Sequence, residues 1–254
     1  MSGRAVFFSD AHLFPVPKPH PGRDRLRVFL RSLRDGEPGD LWIAGDLFDY
    51  WFESRGRAPS GHEEVLSALR SLADSGWRIR FLPGNHDWWV GPRFEEASGA
   101  AVVRLRTVRL EYGGLKVLLA HGDGLGGGDL GYRLLLRPIL RNPLSIALFS
   151  LLPPGLAEAL AGSVSGTSRR ILRRQAEAMP ARLARWAAAA IEDGHDVVLT
   201  GHTHLAASVP SRGGVHISLG DWLGSFTWAE IGGGRAELRW FDAEQASGRI
   251  GTVR

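Results

Sequence analysis

Ala5-Val6-Phe7-Phe8-Ser9-Asp10-Ala11-His12 is an apolar run that ends on two side chains able to bind a metal. A short run of this kind predicts a buried strand. Alternation along an extended chain puts Asp10 and His12 on the same side. The same arrangement recurs four times. Asp40 to Ala44 leads into Gly45-Asp46-Leu47-Phe48-Asp49, and Trp77 to Leu82 into Gly84-Asn85-His86-Asp87. Leu115 to Ala120 leads into His121-Gly122-Asp123, and Asp196 to Thr200 into Gly201-His202-Thr203-His204. Sites in α/β proteins gather at the carboxyl ends of strands. Taken singly, each motif has a commoner explanation: a surface pair, a helix cap, an Asn-bearing turn, a packed histidine. Five motifs in the same position relative to five strands point instead to one shared site.

The intervening segments read as helices in the first half. Arg23 to Arg34 carries Leu26, Phe29, Leu30 and Leu33 at helical spacing, and His62 to Ser75 carries Val65, Leu66, Leu69 and Leu72. The order βαβαβ predicts parallel strands joined by crossovers. Ala101 to Val103 and Thr107 to Tyr112 are further strands, the latter joined to Leu115 to Ala120 by the Gly113-Gly114 turn. Gly213 to Leu219, Phe226 to Ile231 and Arg235 to Phe241 are expected to form an antiparallel run, and the tail from Ala243 to Arg254 to be loose. Two packed sheets with helices outside them follow.

Between Gly128 and Gly194 the strand pattern stops. Leu130 to Leu140, Pro143 to Leu152, Gly155 to Ala161, Ser168 to Ala178 and Pro180 to Ile191 read as helices, broken at Pro153-Pro154. We expect one domain over 1–254 with a helical insertion or cap over 128–194. Leu134, Leu135, Leu136, Ile139, Leu140 and the run Leu144 to Leu152 are apolar, with Arg133, Arg137 and Arg141 among them. A basic amphipathic helix can lie on anionic lipid or line an acyl pocket, and peripheral contact with an anionic membrane is expected.

The 254 residues are enough to bury a large core, and 44% hydrophobic with 23% charged residues is the balance of an ordinary globular protein. The net charge of +4 favours acidic partners. The basic residues are nearly all Arg, with Lys18 and Lys116 the only lysines, and Arg matches phosphate oxygens bidentately. There is no cysteine, which excludes disulfides and thiolate metal sites. No segment reaches the roughly 20 apolar residues that cross a bilayer. Met1 to Arg4 is too short for a leader, so a cytoplasmic protein is expected. No nucleic-acid motif and no obligate protein partner are evident.

The chemistry-bearing side chains are Asp, His and Asn, hard or borderline oxygen and nitrogen donors. Asp46 can bridge two metals with one oxygen on each. Asn85 offers an amide oxygen. His86 can contact a phosphate oxygen or protonate a leaving group. Asp87 can fix the His86 tautomer, and Asp49 can orient a ligand. Two metals side by side bind a phosphate and activate water against it. Manganese, iron, zinc and cobalt all accept such donors.

The series Asp10-x-His12, Gly45-Asp46, Gly84-Asn85-His86-Asp87, His121-Gly122, Gly201-His202-x-His204 resembles the calcineurin-like metallophosphoesterase family, in order, from Asp10 to His204. The resemblance implies a four-layer αββα sandwich holding two divalent metals, often manganese. One metal would take Asp10, His12, Asp46 and His204. The other would take Asp46, Asn85, His121 and His202. The metals so held would activate water to attack phosphorus, and His86 would steady the developing charge.

A closer resemblance lies in Asp46-Leu47-Phe48-Asp49-Tyr50-Trp51, in His121-Gly122-Asp123-Gly124-Leu125 and in Asp129-Leu130-Gly131-Tyr132, followed by the basic insertion. These are similar to UDP-2,3-diacylglucosamine hydrolases of lipid A synthesis, which release UMP and the lipid 1-phosphate at the cytoplasmic face of the inner membrane. The implied substrate is a lipid-linked nucleotide sugar. The substrate contacts would be Asn85, His86, Asp123, Asp129, Tyr132, Ser168, Arg169, Arg170 and His202. The better-known form of that family carries Arg at the position of His86 and lysines in the cap, which this insertion lacks. The differences fit a divergent branch that keeps the His. The alternative is a metallophosphoesterase acting on another nucleotide pyrophosphate or a phosphodiester. A non-catalytic scaffold would have no need of His86.

Overall fold

The computed structural model describes residues 3–53, 56–127, 142–152, 178–242 and 251–252. The chain begins as expected. Strand β1 (Arg4–Phe8), helix α1 (Arg23–Arg34), β2 (Asp40–Ile43), α2 (Glu63–Asp74), β3 (Arg78–Phe81), α3 (Pro92–Ser98) and β4 (Ala101–Val102) alternate. The four strands lie parallel in that order, with Phe8 beside Ile43 and Ile43 beside Phe81. All four carboxyl ends therefore open at one edge.

Alternation along these strands builds two cores at once. Val6, Phe8, Leu41, Ile43, Ile79 and Phe81 face the apolar stripes of α1 and α2, with Phe94 of α3. Ala5, Phe7 and Trp42 face the other way, toward a second sheet. Both faces of β1 and β2 are covered, so they are largely apolar, whereas Arg78 and Arg80 of β3 turn to Asp40.

The second sheet comprises β5 (Val108–Tyr112), β6 (Leu115–Ala120), β7 (Val197–Thr200), β8 (Ala206–Ser211) and β9 (Gly214–Leu219). Its order is β5-β6-β7-β9-β8. Val117, Leu119, Val197, Leu199, Ile217 and Leu219 supply its half of the inter-sheet core. Leu118 and Val198 point outward against Ala187, Ala190 and Ile191 of α5 (Met179–Glu192). The layers run helix, sheet, sheet, helix. A shorter helix, α4 (Pro143–Ser150), precedes α5. The carboxyl-terminal helix of the stretch expected as an insertion is thus the outer layer of the second sheet. The candidate helices at 130–140 and 155–161, and that at 168–178 apart from Ala178, lie outside the described residues.

Two expectations are corrected. Gly213 to Leu219 does not continue into an antiparallel run with Phe226 to Ile231. β9 runs parallel to β7 and antiparallel to β8 in the second sheet, whereas β10 (Thr227–Gly232) crosses to the first sheet, antiparallel to β1. β11 (Arg235–Trp240) follows β10 as a hairpin. The tail is not wholly loose: β12 (Gly251–Thr252) pairs with Arg239 and Trp240 at the sheet edge. Sequence reading also misses α3 and β8.

Candidate metal centre

The loops after β1, β2, β3, β6 and β7 meet at one edge of the sandwich. Asp10, His12 and His204 bring one ligand atom each within 4.8 Å of one another, and so do Asp46, His121 and His202. His12, Asp46 and His86 form a third such set, so Asp46 and His12 join the groups. Asn85 Oδ1 lies 3.2 Å from His121 Nε2. The structure therefore brings together all seven residues expected as ligands, with His86 beside them.

Local backbone geometry sets this arrangement. Among the described residues, six non-glycine residues have a left-handed φ. Five of them are Asp10, His12, Asp46, His202 and His204. That region is unfavourable for residues with a Cβ, and it persists where surrounding structure over-determines it. Here the turns are tied together. Asp10 N donates to Gly45 O, His12 N to Asp46 O, and Gly201 N to His121 O. Gly84 sits against the Asp46 carboxylate, where a Cβ would overlap it. A Cβ on Gly45, at φ +90°, would strike the His121 ring.

Three of the imidazoles are held by one nitrogen and offer the other. His121 Nδ1 donates to the Ala44 carbonyl at 2.8 Å, which leaves Nε2 facing Asn85 Oδ1 and, at 3.3 Å, Asp46 Oδ2. His204 Nδ1 faces Asp221 Oδ2 at 3.4 Å, which leaves Nε2 toward His12 Nε2 at 3.2 Å. His86 Nδ1 donates to the Asp49 carbonyl at 2.7 Å. Asp49 thus acts through its backbone, on His86.

The two oxygens of Asp46 have separate tasks. Oδ1 accepts the His86 N–H at 2.9 Å. Oδ2 lies 3.7 Å from His12 Nε2 and 3.3 Å from His121 Nε2. A single oxygen faces both halves of the site, which corrects the expectation of one oxygen for each metal. Asp87 also differs from expectation. It is fully buried and accepts backbone N–H groups from Asp46, Leu47, Phe48 and Gly84. It shapes the loops carrying Asp46 and Asn85, while the Asp49 carbonyl fixes the His86 tautomer.

The electrostatics are those of a site made for cations. Burial opposes charge on Asp10 and Asp46, yet the surrounding imidazoles outweigh it and lower both pKa values. Burial likewise opposes charge on His121, but Asp46 and Asp10 hold its pKa well above the ordinary range. Burial and the His121 charge push His202 down to about 4, so this ring stays neutral. Burial and Asp46 push Asp87 up to about 7. Metal binding at such a site releases protons from its ligands.

The donor set fits divalent metals. Asp10 Oδ1 is buried without a hydrogen-bond partner, 3.7 Å from both His12 Nε2 and His204 Nε2. An acceptor oxygen among imidazole lone pairs is unsatisfied until something positive lies between them. With no sulfur donor, the set suits manganese, iron, zinc or cobalt.

Asp123 is buried; its charge adds to the upward pull on His121 and partly offsets the lowering at His202. Asp129, Tyr132, Ser168, Arg169 and Arg170, expected as substrate contacts, lie outside the described residues, as do Arg133, Arg137 and Arg141. Sequence reading misses Asp221, whose Gly220-Asp221-Trp222 setting resembles an ordinary turn.

The model of the calcineurin-like phosphoesterase family matches residues 3–206, a stretch that ends before Asp221. The chain is 34% identical over 227 residues to a UDP-2,3-diacylglucosamine hydrolase of Ectopseudomonas mendocina, covering 85% of this chain and 89% of that protein. It is 37% identical over 153 residues to a protein of the same name from Photorhabdus laumondii, covering 59% and 62%. Among solved structures, the phosphoesterase Yfce from E. coli aligns over 98% of both chains with a TM-score of 0.50 and 14% identity, a likeness of fold alone.

Proposed function

The chain belongs to the calcineurin-like phosphoesterase family, a family of metal-dependent hydrolases, and we propose that it cleaves the pyrophosphate of UDP-2,3-diacylglucosamine with water to give UMP and 2,3-diacylglucosamine 1-phosphate. One observation carries the chemistry: seven nitrogen and oxygen donors from five strand ends converge, with Asp10, His12 and His204 on one side, Asp46, His121, His202 and Asn85 on the other, and Asp46 within reach of His12 across the two. The relatives that bear this substrate's name support the rest.

We assign Asp10, His12, Asp46 and His204 to one cation, and Asp46, Asn85, His121 and His202 to the other. Two divalent cations, which we propose to be manganese, would supply positive charge to the phosphoryl oxygens and lower the pKa of water.

The protein's own groups do the remaining work. Asp46 Oδ2 and the converging Nε2 atoms of His12, His121 and His204 would fix where positive charge is held. The Nδ1 proton of His86 is committed to the Asp49 carbonyl. Nε2 is then the atom that would meet a phosphate oxygen and serve the leaving group. Asn85 and His202 flank the same phosphate. Asp123, Asp129, Tyr132, Ser168, Arg169 and Arg170 complete the substrate contacts in this reading, and the insertion over 128–194 covers the acyl chains.

No described helix is long and apolar enough to cross a membrane. Leu144, Leu148 and Leu151 follow one another at helical spacing and are 66%, 60% and 68% exposed. This apolar stripe, with Arg137 and Arg141 just before it in sequence, supports peripheral contact with an anionic lipid surface. We place the enzyme at the cytoplasmic face of the inner membrane.

Product analysis tests the assignment. Manganese-loaded enzyme is incubated with UDP-2,3-diacylglucosamine, a UDP-sugar and a generic phosphodiester. UMP and lipid 1-phosphate from the first, with little turnover of the others, is the expected result. Turnover of the last two without the lipid would assign a different substrate to the same centre.

A further inference from the structure

Asp221 lies in the loop 220–226 between β9 and β10, beyond the five motifs. Its carboxylate is divided between two tasks. Oδ1 accepts the backbone N–H groups of Leu223, Gly224 and Ser225 at 3.3, 3.0 and 2.9 Å, and the Ser225 hydroxyl at 2.9 Å. Ser225 Oγ in turn accepts from Asp221 N at 2.8 Å. With Oδ1 fixed by its own loop, Oδ2 is left for His204 Nδ1 at 3.4 Å. The same loop reaches a second residue of the same half, since Trp222 N donates to the Asp10 carbonyl at 3.1 Å. Trp222 is fully buried against Phe8 and Phe29, which anchors the loop in the helix-side core. The sixth non-glycine residue with a left-handed φ, Phe226, closes this loop.

We infer that Asp221 is a positioning residue for one half of the metal pair. It holds His204 as the Nδ1–H tautomer and aims the bare Nε2 at the cation shared with Asp10, His12 and Asp46. The inference rests on the reading of His204 as a metal ligand. A carboxylate on the far nitrogen fixes ring orientation and raises ligand basicity, and its loss typically weakens a metal site by about 10–100-fold. The Asp46, Asn85, His121 and His202 half has no contact with this loop among the distances above. The effect should therefore fall on one cation of two.

The test is calorimetric titration of metal-stripped protein with Mn2+, comparing wild type with Asp221→Asn and Asp221→Ala. Asp221→Asn keeps an oxygen for the loop amides but can set an N–H against His204. Wild type is expected to bind two equivalents. Both variants should retain one site at wild-type affinity and weaken the other by about 10–100-fold. Two unaltered sites in both variants would overturn the inference, as would equal weakening of the two. Wild type that binds no Mn2+ would instead overturn the metal-centre reading itself. A second measurement needs no variant: in Zn2+-loaded wild type, long-range proton–nitrogen NMR should show His204 protonated at Nδ1. Protonation at Nε2 would also overturn the assignment.

Discussion

The imidazole of His86 donates from Nδ1 to the carbonyl oxygen of Asp49, 2.7 Å away, while its neighbour Asp87 binds backbone amides instead. Two adjacent residues of one motif thus have different physical tasks, and their variants should fail differently.

His86→Ala should keep its fold and both metals, since neither metal set assigned above depends on the ring. Its kcat should fall by about 10²–10⁴, the range for a lost acid–base group. Metal content by mass spectrometry and single-substrate kinetics check this together. Loss of metal alongside activity would make His86 a ligand instead.

Asp87→Ala should unfold more easily. Four buried amides lose their acceptor, and each unsatisfied group costs about 1–3 kcal/mol. Urea denaturation should show a loss of at least ~3 kcal/mol, with Asp87→Asn losing less. Unchanged stability would contradict the clamp.

Asp46→Ala should lose both cations and all measurable turnover, because Oδ2 faces both halves of the site. Retention of one full equivalent of metal with activity would refute the shared-ligand geometry. Chelation of the wild type should abolish turnover in the same way, with recovery on adding Mn2+.

Stability should decline on acidification through two buried histidines that are not among the proposed metal ligands. Burial lowers His62 and His216 to about 4 each, and His216 Nε2 pairs with the Thr200 hydroxyl. An unfolded histidine takes its proton near pH 6.5, so between about pH 6.5 and 4 the unfolded state binds more protons. Stability is present above that window and lost as pH falls through it, by about 3 kcal/mol per residue. His216→Gln should reduce the proton uptake on unfolding at pH 5 by close to one. An unchanged pH slope would show that this ring is charged when folded.

Membrane contact has its own readout. Wild type should float with anionic liposomes at low salt. Replacement of Leu144, Leu148 and Leu151 by Ser should abolish flotation while leaving thermal stability nearly intact, because these side chains are exposed. Equal flotation of both would move the contact elsewhere.

The parallel half of the fold and the converging donors were legible because strand signals and ligands are local. Each apolar run ends where its ligands begin. The parts that were missed depend on distant partners. α3 starts at Pro92 because Glu53, far back in the chain, accepts the N–H groups of Gly91, Arg93 and Phe94. β8 contains Pro210 and little apolar surface, and it is a strand because β9 pairs with it. Nothing near Gly213 in sequence says which sheet β9 will join. Asp87 and Asp221 sit in plain turns, and only the folded chain shows what each carboxylate meets.

The donors are also distributed unevenly over the architecture. Asp10, His12, Asp46 and Asn85 hang from the first sheet, and His121, His202 and His204 from the second. Each cation would therefore be gripped from both sides of the inter-sheet core, like a rivet through two plates. Stripping the metals should loosen that seam and lower the melting temperature. A cation at about 1,000 times its dissociation constant contributes ~4 kcal/mol to folding. In this protein the cofactor that equips the enzyme for chemistry would also fasten its halves together.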